Sequence, residues 1–405
     1  MAPTSSPERL LNQWFPHTTT PFIANAPMLG FTDCRLAGAV IRAGGLGMIT
    51  PSEMIHFDWN LDCVNRQSTG SSQFLSPARI HRLDTNNSLT ANIGFIGGGF
   101  EFGPESTQLR NLDARLTQAR AELGTIASTR TLPLGIGFIT FTPTGFEENA
   151  VSILEKHRVA AVWLSFPKSG ADHQPLIEAI RKVQSKGHWD VKIFVQVGTV
   201  HAAKEALEQG VDVLVVQGVD AGGHQWAQGA SLMSLLPEIR DLVARSARVN
   251  EVAIMAAGGI VDGRGCVAAL GLGADGIVMG TRFIATSECP APLFMKESII
   301  AATDGGVSTI KTTRHDVFQS TDVFPRQYDG RAIIGINYNE SQSGSADEEI
   351  IQRYNEAKEK GDDQRRTVWA GTGVGIIDKI VSVEELVKSM QQEAKLAVAR
   401  VMERI

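Results

Sequence analysis

Short aliphatic runs alternate with amphipathic stretches along most of this chain. The run Val211–Val216 shows the type: it is apolar and mostly β-branched apart from Asp212, and glycine follows it, so it predicts a buried strand. Similar runs at Phe22–Met28, Leu46–Thr50, Leu134–Thr140, Ala160–Ser165, Val191–Val197, Val252–Ala257 and Asp275–Met279 predict further strands. Helical periodicity fills the intervals at Asp33–Arg42, Ser106–Leu123, Pro143–His157, Asp172–Lys186, Val200–Gln209, Leu232–Ala247 and Arg264–Leu272. In the second of these, Leu109, Leu112, Leu116, Ala119 and Leu123 recur every three or four residues, which puts them on one face. Strands alternating with helices in this way predict an α/β fold, a (β/α)8 TIM barrel. An open doubly wound sheet shares the element order, but no G-x-G-x-x-G follows the first strand.

Three segments stand outside the repeat. Residues 1–20 carry Pro3, Pro7 and Pro16 and read as an irregular arm before a barrel over 21–290. Residues 51–93 read as an insertion after the second strand, with loop signals at Ser68–Ser72 and Thr85–Ser88. A short strand at Ala91–Ile96 leads into Gly97-Gly98-Gly99, a triplet that suits either a flexible loop or a ligand-facing turn. Residues 291–405 read as a mainly helical extension covering one end of the barrel. Helices are expected there at Ala291–Ala302, Asp347–Lys360 and Ser382–Glu403, with an irregular stretch and a hairpin over Thr309–Asn339 and a glycine-rich turn at Trp369–Ile376. Ser382 and Glu385 form a capping-box pattern.

Composition narrows the class. With 43% hydrophobic and 20% charged residues, the 405-residue chain is of soluble globular type. Its formal net charge of −6 argues against a nucleic-acid partner. No run approaches eighteen consecutive apolar residues, and the first residues lack a basic segment followed by an apolar one, so no membrane association and a cytoplasmic location are expected. Cys34, Cys63, Cys266 and Cys289 are far apart and form no C-x-x-C pair, so neither a disulfide framework nor a zinc site is expected.

In TIM barrels the site lies at the C-terminal ends of the strands, and phosphate is often held after the seventh and eighth. Those places carry Ala257-Gly258-Gly259-Ile260 and Met279-Gly280-Thr281-Arg282. Glycine lets backbone amides approach phosphate, a following helix adds its dipole, and Thr281 offers a hydroxyl. The sixth strand runs into Gln217 and then Ala221-Gly222-Gly223-His224. Of nine histidines, His224 is the one placed just past a barrel strand, where an imidazole can take a proton from carbon near neutral pH. A buried histidine capping a loop is the structural alternative. His157, His188 and His201 read as surface groups, and no metal-ligand spacing is present. Without a G-x-S-x-G or P-loop nucleophile or phosphate motif, a phosphate-type site points to cofactor chemistry.

Taken in order, these stretches resemble the nitronate monooxygenases, formerly called 2-nitropropane dioxygenases, a family of FMN-dependent barrel enzymes. The resemblance is carried by Ala26-Pro27-Met28, Ala43-Gly44-Gly45-Leu46-Gly47, Gln217 with Ala221-Gly222-Gly223-His224, Ala256-Ala257-Gly258-Gly259-Ile260, Met279-Gly280-Thr281-Arg282 and Ala370-Gly371-Thr372-Gly373-Val374-Gly375. It implies that the backbone at Ala26, Pro27 and Met28 meets the isoalloxazine, with Gln196, Gln217, Gly222 and Gly223 beside it. It also implies that Gly258, Gly259, Met279, Gly280 and Thr281 surround the phosphate and that His224 is the catalytic histidine. The implied reaction is FMN-dependent oxidation of alkyl nitronates, and of neutral nitroalkanes, by O2 to carbonyl compounds and nitrite. A homo-oligomer is compatible with it.

Two alternatives remain at this level. A related flavin barrel, the enoyl-acyl-carrier-protein reductase, shares the AGGH histidine, so an FMN-dependent NAD(P)H oxidoreductase acting on a quinone or enoyl thioester fits the same motifs. A phosphate-ligand enzyme without flavin is the third class. One departure from the family pattern is Gly137, which stands where many members carry an asparagine. The other is the 51–93 insertion, expected near the active-site face.

Overall fold

The computed structural model describes residues 8–51, 102–128, 131–141, 144–187 and 189–405. The expected insertion, the strand at Ala91–Ile96, the glycine triplet after it, Cys63 and His188 lie outside these residues, Pro51 excepted.

The N-terminal arm contains a helix, α1 (Glu8–Trp14), where an irregular segment was expected. Leu11 and Phe15, spaced one helical turn apart, are buried. The repeat then runs β1 (Ile23–Asn25), α2 (Cys34–Arg42), β2 (Gly47–Ile49), α3 (Thr107–Leu123), β3 (Leu132–Ile139), α4 (Val151–His157), β4 (Val159–Ser165), α5 (His173–Gln184), β5 (Lys192–Val197), α6 (Val200–Glu208) and β6 (Val213–Gln217). After a short extra strand, β7 (Gly223–Trp226), it continues with α7 (Leu232–Ala244), β8 (Ala253–Ala257), α8 (Gly263–Gly271), β9 (Gly276–Met279) and α9 (Thr281–Ile284). Short polar side chains start several helices: Asp33 accepts from the Leu36 amide, Ser106 from Leu109 and Asp262 from Gly265.

Eight of the strands pair in parallel in the order β1-β9-β8-β6-β5-β4-β3-β2. The ring closes between β1 and β2 with little backbone pairing. The Leu46 amide donates to the Ile23 carbonyl at 2.9 Å, and beyond that point the buried Asn25 carboxamide replaces the ladder. Its Nδ2 donates to the Met48 carbonyl at 2.8 Å and its Oδ1 accepts from the Met48 amide at 2.9 Å. A side-chain amide has the same donor and acceptor as a peptide group, so it substitutes for one.

Both faces of these strands are buried, which is why they read as aliphatic runs. Ala24, Met48, Trp163, Phe194, Val215, Met255 and Val278 fill the barrel, with Leu11 and Phe15 of the arm completing that interior cluster. Their neighbours Ile23, Ile49, Val162, Val195, Leu214, Ile254 and Ile277 face the helices. The interior alternates large with small: a Cβ at Gly135 would sit 2.1 Å from the Met48 sulfur.

The eighth strand is followed only by the four-residue α9, too short to cover it. The covering helix comes from the end of the chain. α10 (Leu293–Ala301), β10 (Thr309–Thr312), α11 (Arg314–Gln319), β11 (Tyr328–Ile333), α12 (Ile336–Gln342), α13 (Asp347–Lys360) and α14 (Val383–Met402) follow in order. α14 packs against both α8 and α2, the position of an eighth ring helix. Leu386, Val387, Met390 and Ala394 are buried there, and Glu393 accepts from the Gly263 amide at 2.9 Å. Ser382 caps α14 through the Glu385 amide, but Glu385 pairs with Lys379 in place of closing a capping box. The tail is thus more than a cover on one end.

The expected hairpin exists as β10–β11, and a third strand joins it. β7, from the loop after β6, pairs antiparallel with β11 in the register Gly330 opposite His224. Among the described residues, no helix is long and apolar enough to cross a membrane.

Candidate functional site

A cavity of about 380 Å³ opens where the barrel strands end, within the size range of small-molecule and cofactor sites. Its wall includes Ala26, Pro27, Met28, Gln196, Gln217, Gly222, Gly223, His224, Gly258, Gly259, Gly280 and Thr281. Met279 does not join them. Its neighbour Val278 faces the barrel interior, so strand alternation turns Met279 outward into the helix-facing core. Only its carbonyl matters locally, accepting from the Ala26 amide at 2.9 Å.

The turns after β6 and β8 need glycine for different reasons. Gly258 and Gly259 have φ of +109° and +72°, in the left-handed region where a side chain is strained. Gly222 is required by close approach: a Cβ there would lie 2.4 Å from the Ala370 carbonyl carbon and the Gly371 nitrogen. The tail turn thereby interlocks with the turn after β6. The Thr372 amide and hydroxyl donate to the Asp220 carbonyl and carboxylate at 3.0 and 3.1 Å. The Gly371 amide donates to Thr281 Oγ1 at 3.0 Å, which leaves the Thr281 hydroxyl hydrogen to turn elsewhere. At Gly137, where the family pattern leads one to expect asparagine, a Cβ would be 2.5 Å from the Pro27 ring. Pro27 fills the space an asparagine side chain would need.

A polar line runs along the cavity. Gln196 Nε2 donates to Gln217 Oε1 at 2.8 Å, and Gln217 Nε2 donates to the His224 carbonyl at 3.3 Å. The His224 side chain is 16% exposed, open enough to meet a small molecule. Its Nε2 lies 3.0 Å from both carboxylate oxygens of Asp316. One ring face stacks on Phe324, with centroids 3.7 Å apart and planes 10° from parallel. Trp369 sits tilted at 4.8 Å and Phe166 edge-on at 6.4 Å. Phe166 is held at φ +59° just past β4, with Phe324 and Tyr328 packed edge-on against it and the Tyr328 hydroxyl donating to the Pro167 carbonyl at 2.8 Å. A non-glycine residue in that region costs energy and is found where surroundings impose it.

Asp316, Phe324 and Phe166 are absent from the sequence expectations, and Trp369 appears there only as the first residue of a glycine-rich turn. Asp316 lies 92 positions beyond His224, in a six-residue helix inside a stretch that reads as irregular. No local pattern marks it.

Among the described residues, the other histidines do not join the cavity wall. His157, expected at the surface, is buried and bonds Asp113 through Nε2 at 2.7 Å. His173 is buried with Nε2 2.8 Å from Thr140 Oγ1, and burial pulls its pKa down to about 3. His315 is also held low by burial, and its Nε2 faces the Ile310 carbonyl. The described cysteines are buried, and burial raises Cys266 to about 12 and Cys289 to about 11, so both stay thiols.

Comparison with known proteins identifies the family. The nitronate monooxygenase family model matches residues 174–393. A nitronate monooxygenase of Neurospora crassa is 34% identical over 400 residues, covering 96% of this chain and 93% of that protein. The nitronate monooxygenase npaC of Metarhizium robertsii is 29% identical over 407 residues, covering 98% and 97%. Among solved structures, FabK from Thermotoga maritima superposes with a TM-score of 0.66 at 19% identity, covering 98% of this chain and 99% of that one. Nitroalkane oxidase from Streptomyces ansochromogenes does so with a TM-score of 0.64 at 19% identity, covering 96% and 99%. The two structures support the barrel fold. The sequence matches go further: the chain belongs to the nitronate monooxygenase family.

Proposed function

We propose that this chain, a flavin-dependent oxidoreductase by family, uses FMN to oxidise alkyl nitronates with O2, giving carbonyl compounds and nitrite, and that it also accepts neutral nitroalkanes after removing a proton. The observation that carries the reading is His224 on a glycine turn at the cavity wall, beside the Gln196–Gln217 pair and across from the glycine turns after β8 and β9.

The residues present fit a flavin phosphate and ring. A Cβ at Gly258 would lie 2.8 Å from the Gly218 carbonyl oxygen and one at Gly259 3.0 Å from the Asp220 Cβ, so both turns are kept bare of side chains, and among the described residues no backbone carbonyl takes up either amide. Such amides, with the Thr281 hydroxyl, form the donor set that phosphate requires. Pro27 and Met28 offer an apolar edge, and the two glutamines offer directed dipoles to a polar ring system. The chemistry that FMN would supply when bound there is electron transfer between the nitronate and O2.

The protein's own chemistry is proton handling and orientation. An imidazole placed at the wall can take the proton from the carbon bearing the nitro group, and as imidazolium it can donate to a nitronate oxygen. Phe166, Phe324 and Trp369 keep water from crowding that side and suit the alkyl part of the substrate.

The test is the visible spectrum of the purified protein before and after anaerobic mixing. Flavin absorbance near roughly 450 nm is expected, with FMN released on denaturation and the spectrum changed by nitronate in the absence of NADH. Colourless protein that FMN cannot reconstitute, or reduction by NADH alone, overturns the reading.

A further inference from the structure

We propose that Asp316 is the positioning residue for His224: it fixes the imidazole as the Nε2–H tautomer and so makes Nδ1 the basic nitrogen. The proposal rests on the reading of His224 as a base and adds the group that sets its tautomer.

The geometry leaves little choice of proton position. Both Asp316 oxygens lie 3.0 Å from Nε2. A carboxylate only accepts hydrogen bonds, so the proton between them belongs to Nε2 and the lone pair to Nδ1. Asp316 is 4% exposed, and its other side-chain contact, the Thr321 hydroxyl, stands off at 3.4 Å. His224 is therefore its principal partner. Neighbouring His315 turns its Nε2 to the Ile310 carbonyl and does not compete.

The tail holds both partners at once. β11 pairs with the strand carrying His224, and α11, which carries Asp316, lies between β10 and β11 in the chain. Stacking on Phe324 holds the plane of the imidazole in line with the carboxylate. In the proposed step a C–H bond of a neutral nitroalkane breaks, the proton forms an N–H bond at Nδ1, and the electron pair delocalises onto the nitro oxygens as the nitronate. The imidazolium left behind then faces the Asp316 carboxylate, whose charge stabilises it. A preformed nitronate needs no such proton removal.

Nitrogen-15 spectra of histidine-labelled protein test the tautomer directly, with His224 identified by the signals lost in His224→Asn. Wild-type protein should carry the proton on Nε2. In Asp316→Asn the amide can present oxygen or NH2 to Nε2, so the two tautomers should mix. kcat/KM on a neutral nitroalkane should fall about 10²-fold or more, with a loss on the preformed nitronate about tenfold smaller. Asp316→Glu should recover part of the activity, and Asp316→Asn should add nothing to His224→Asn.

An Nδ1–H tautomer in the wild type overturns the proposal. So does an Asp316→Asn protein that melts earlier yet keeps the wild-type ratio of nitroalkane to nitronate activity, which is what a purely structural ion pair predicts. An independent loss in the His224→Asn background overturns it as well. If the chain turns over no nitronate, the tautomer measurement still decides the role of Asp316, so the two failures are separable.

Discussion

The two walls of the cavity are built in different ways. The barrel contributes glycine turns at Gly222, Gly258, Gly259 and Gly280, with Ala26, Pro27 and the Gln196–Gln217 pair beside them. The tail contributes side chains, Asp316, Phe324 and Trp369, gathered around one barrel histidine. A backbone cradle suits a ligand whose shape is constant, because glycine allows close approach and nothing else. Side chains around the base suit the variable part of the reaction, the proton and the alkyl group. Under the proposed function, this division puts the cofactor against the barrel and the substrate against the seam with the tail.

The largest expected effect is at the seam. His224→Asn should lower turnover of neutral nitroalkanes about 10²-fold or more, equivalent to about 2.7 kcal/mol of barrier. Cofactor absorbance should persist, because the phosphate turns lie elsewhere on the wall. Unchanged steady-state kinetics on both the neutral and the anionic substrate would remove His224 from the chemistry.

A matched pair of glycine changes sharpens the comparison. Gly222→Ala places a Cβ 2.4 Å from tail backbone, so one chain segment must move. Overpacking of this kind costs about 1–3 kcal/mol, visible as a lower melting temperature even without cofactor. At Gly280 a Cβ meets the Met28 sulfur at 3.4 Å and the Ala26 Cβ at 3.8 Å, ordinary contact distances. Gly280→Ala should therefore leave the cofactor-free protein nearly as stable, and any weakening of FMN binding reports on the cradle itself. Equal melting temperatures for the two variants would show that the interlock between barrel and tail is soft.

The two regions also differ in how far the sequence reveals them. Barrel strands are legible because burial on both faces makes each one a continuous aliphatic run. Their ends are less so: Phe22–Met28 shortens to Ile23–Asn25 because the Asn25 carboxamide takes over the pairing and Pro27 turns out of the ladder. The glycine motifs are legible as local requirements of backbone shape. Asp316 is not, because its role comes from contact with a histidine 92 residues away, and a six-residue helix has too little periodicity to register. The same holds for α14, which is readable as a helix while its place between α8 and α2 is set by topology. His157 was misplaced for a related reason: its partner Asp113 sits on a different helix.

Near neutral pH the smallest effect lies on the barrel side, away from the cavity. His173 begins α5 fully enclosed, its Nε2 2.8 Å from the Thr140 hydroxyl, and burial shifts its pKa from 6.5 to about 3. The unfolded chain takes up a proton there as pH falls below 6.5, whereas the folded chain resists until about 3. The neutral imidazole therefore contributes its full stability above pH 6.5, and that contribution is lost as pH falls toward 3. A single group of this kind steepens the acid decline by up to about 1.4 kcal/mol per pH unit. His173→Gln retains hydrogen-bonding groups near Thr140 and removes the titration, so near neutral pH it should cost only about 1 kcal/mol. Urea midpoints measured across this pH range should then fall less steeply in the variant than in the wild type. His17 and His315, also held low by burial, titrate alike in both proteins and cancel in the difference. Parallel curves would mean that His173 takes up its proton in the folded barrel despite its burial.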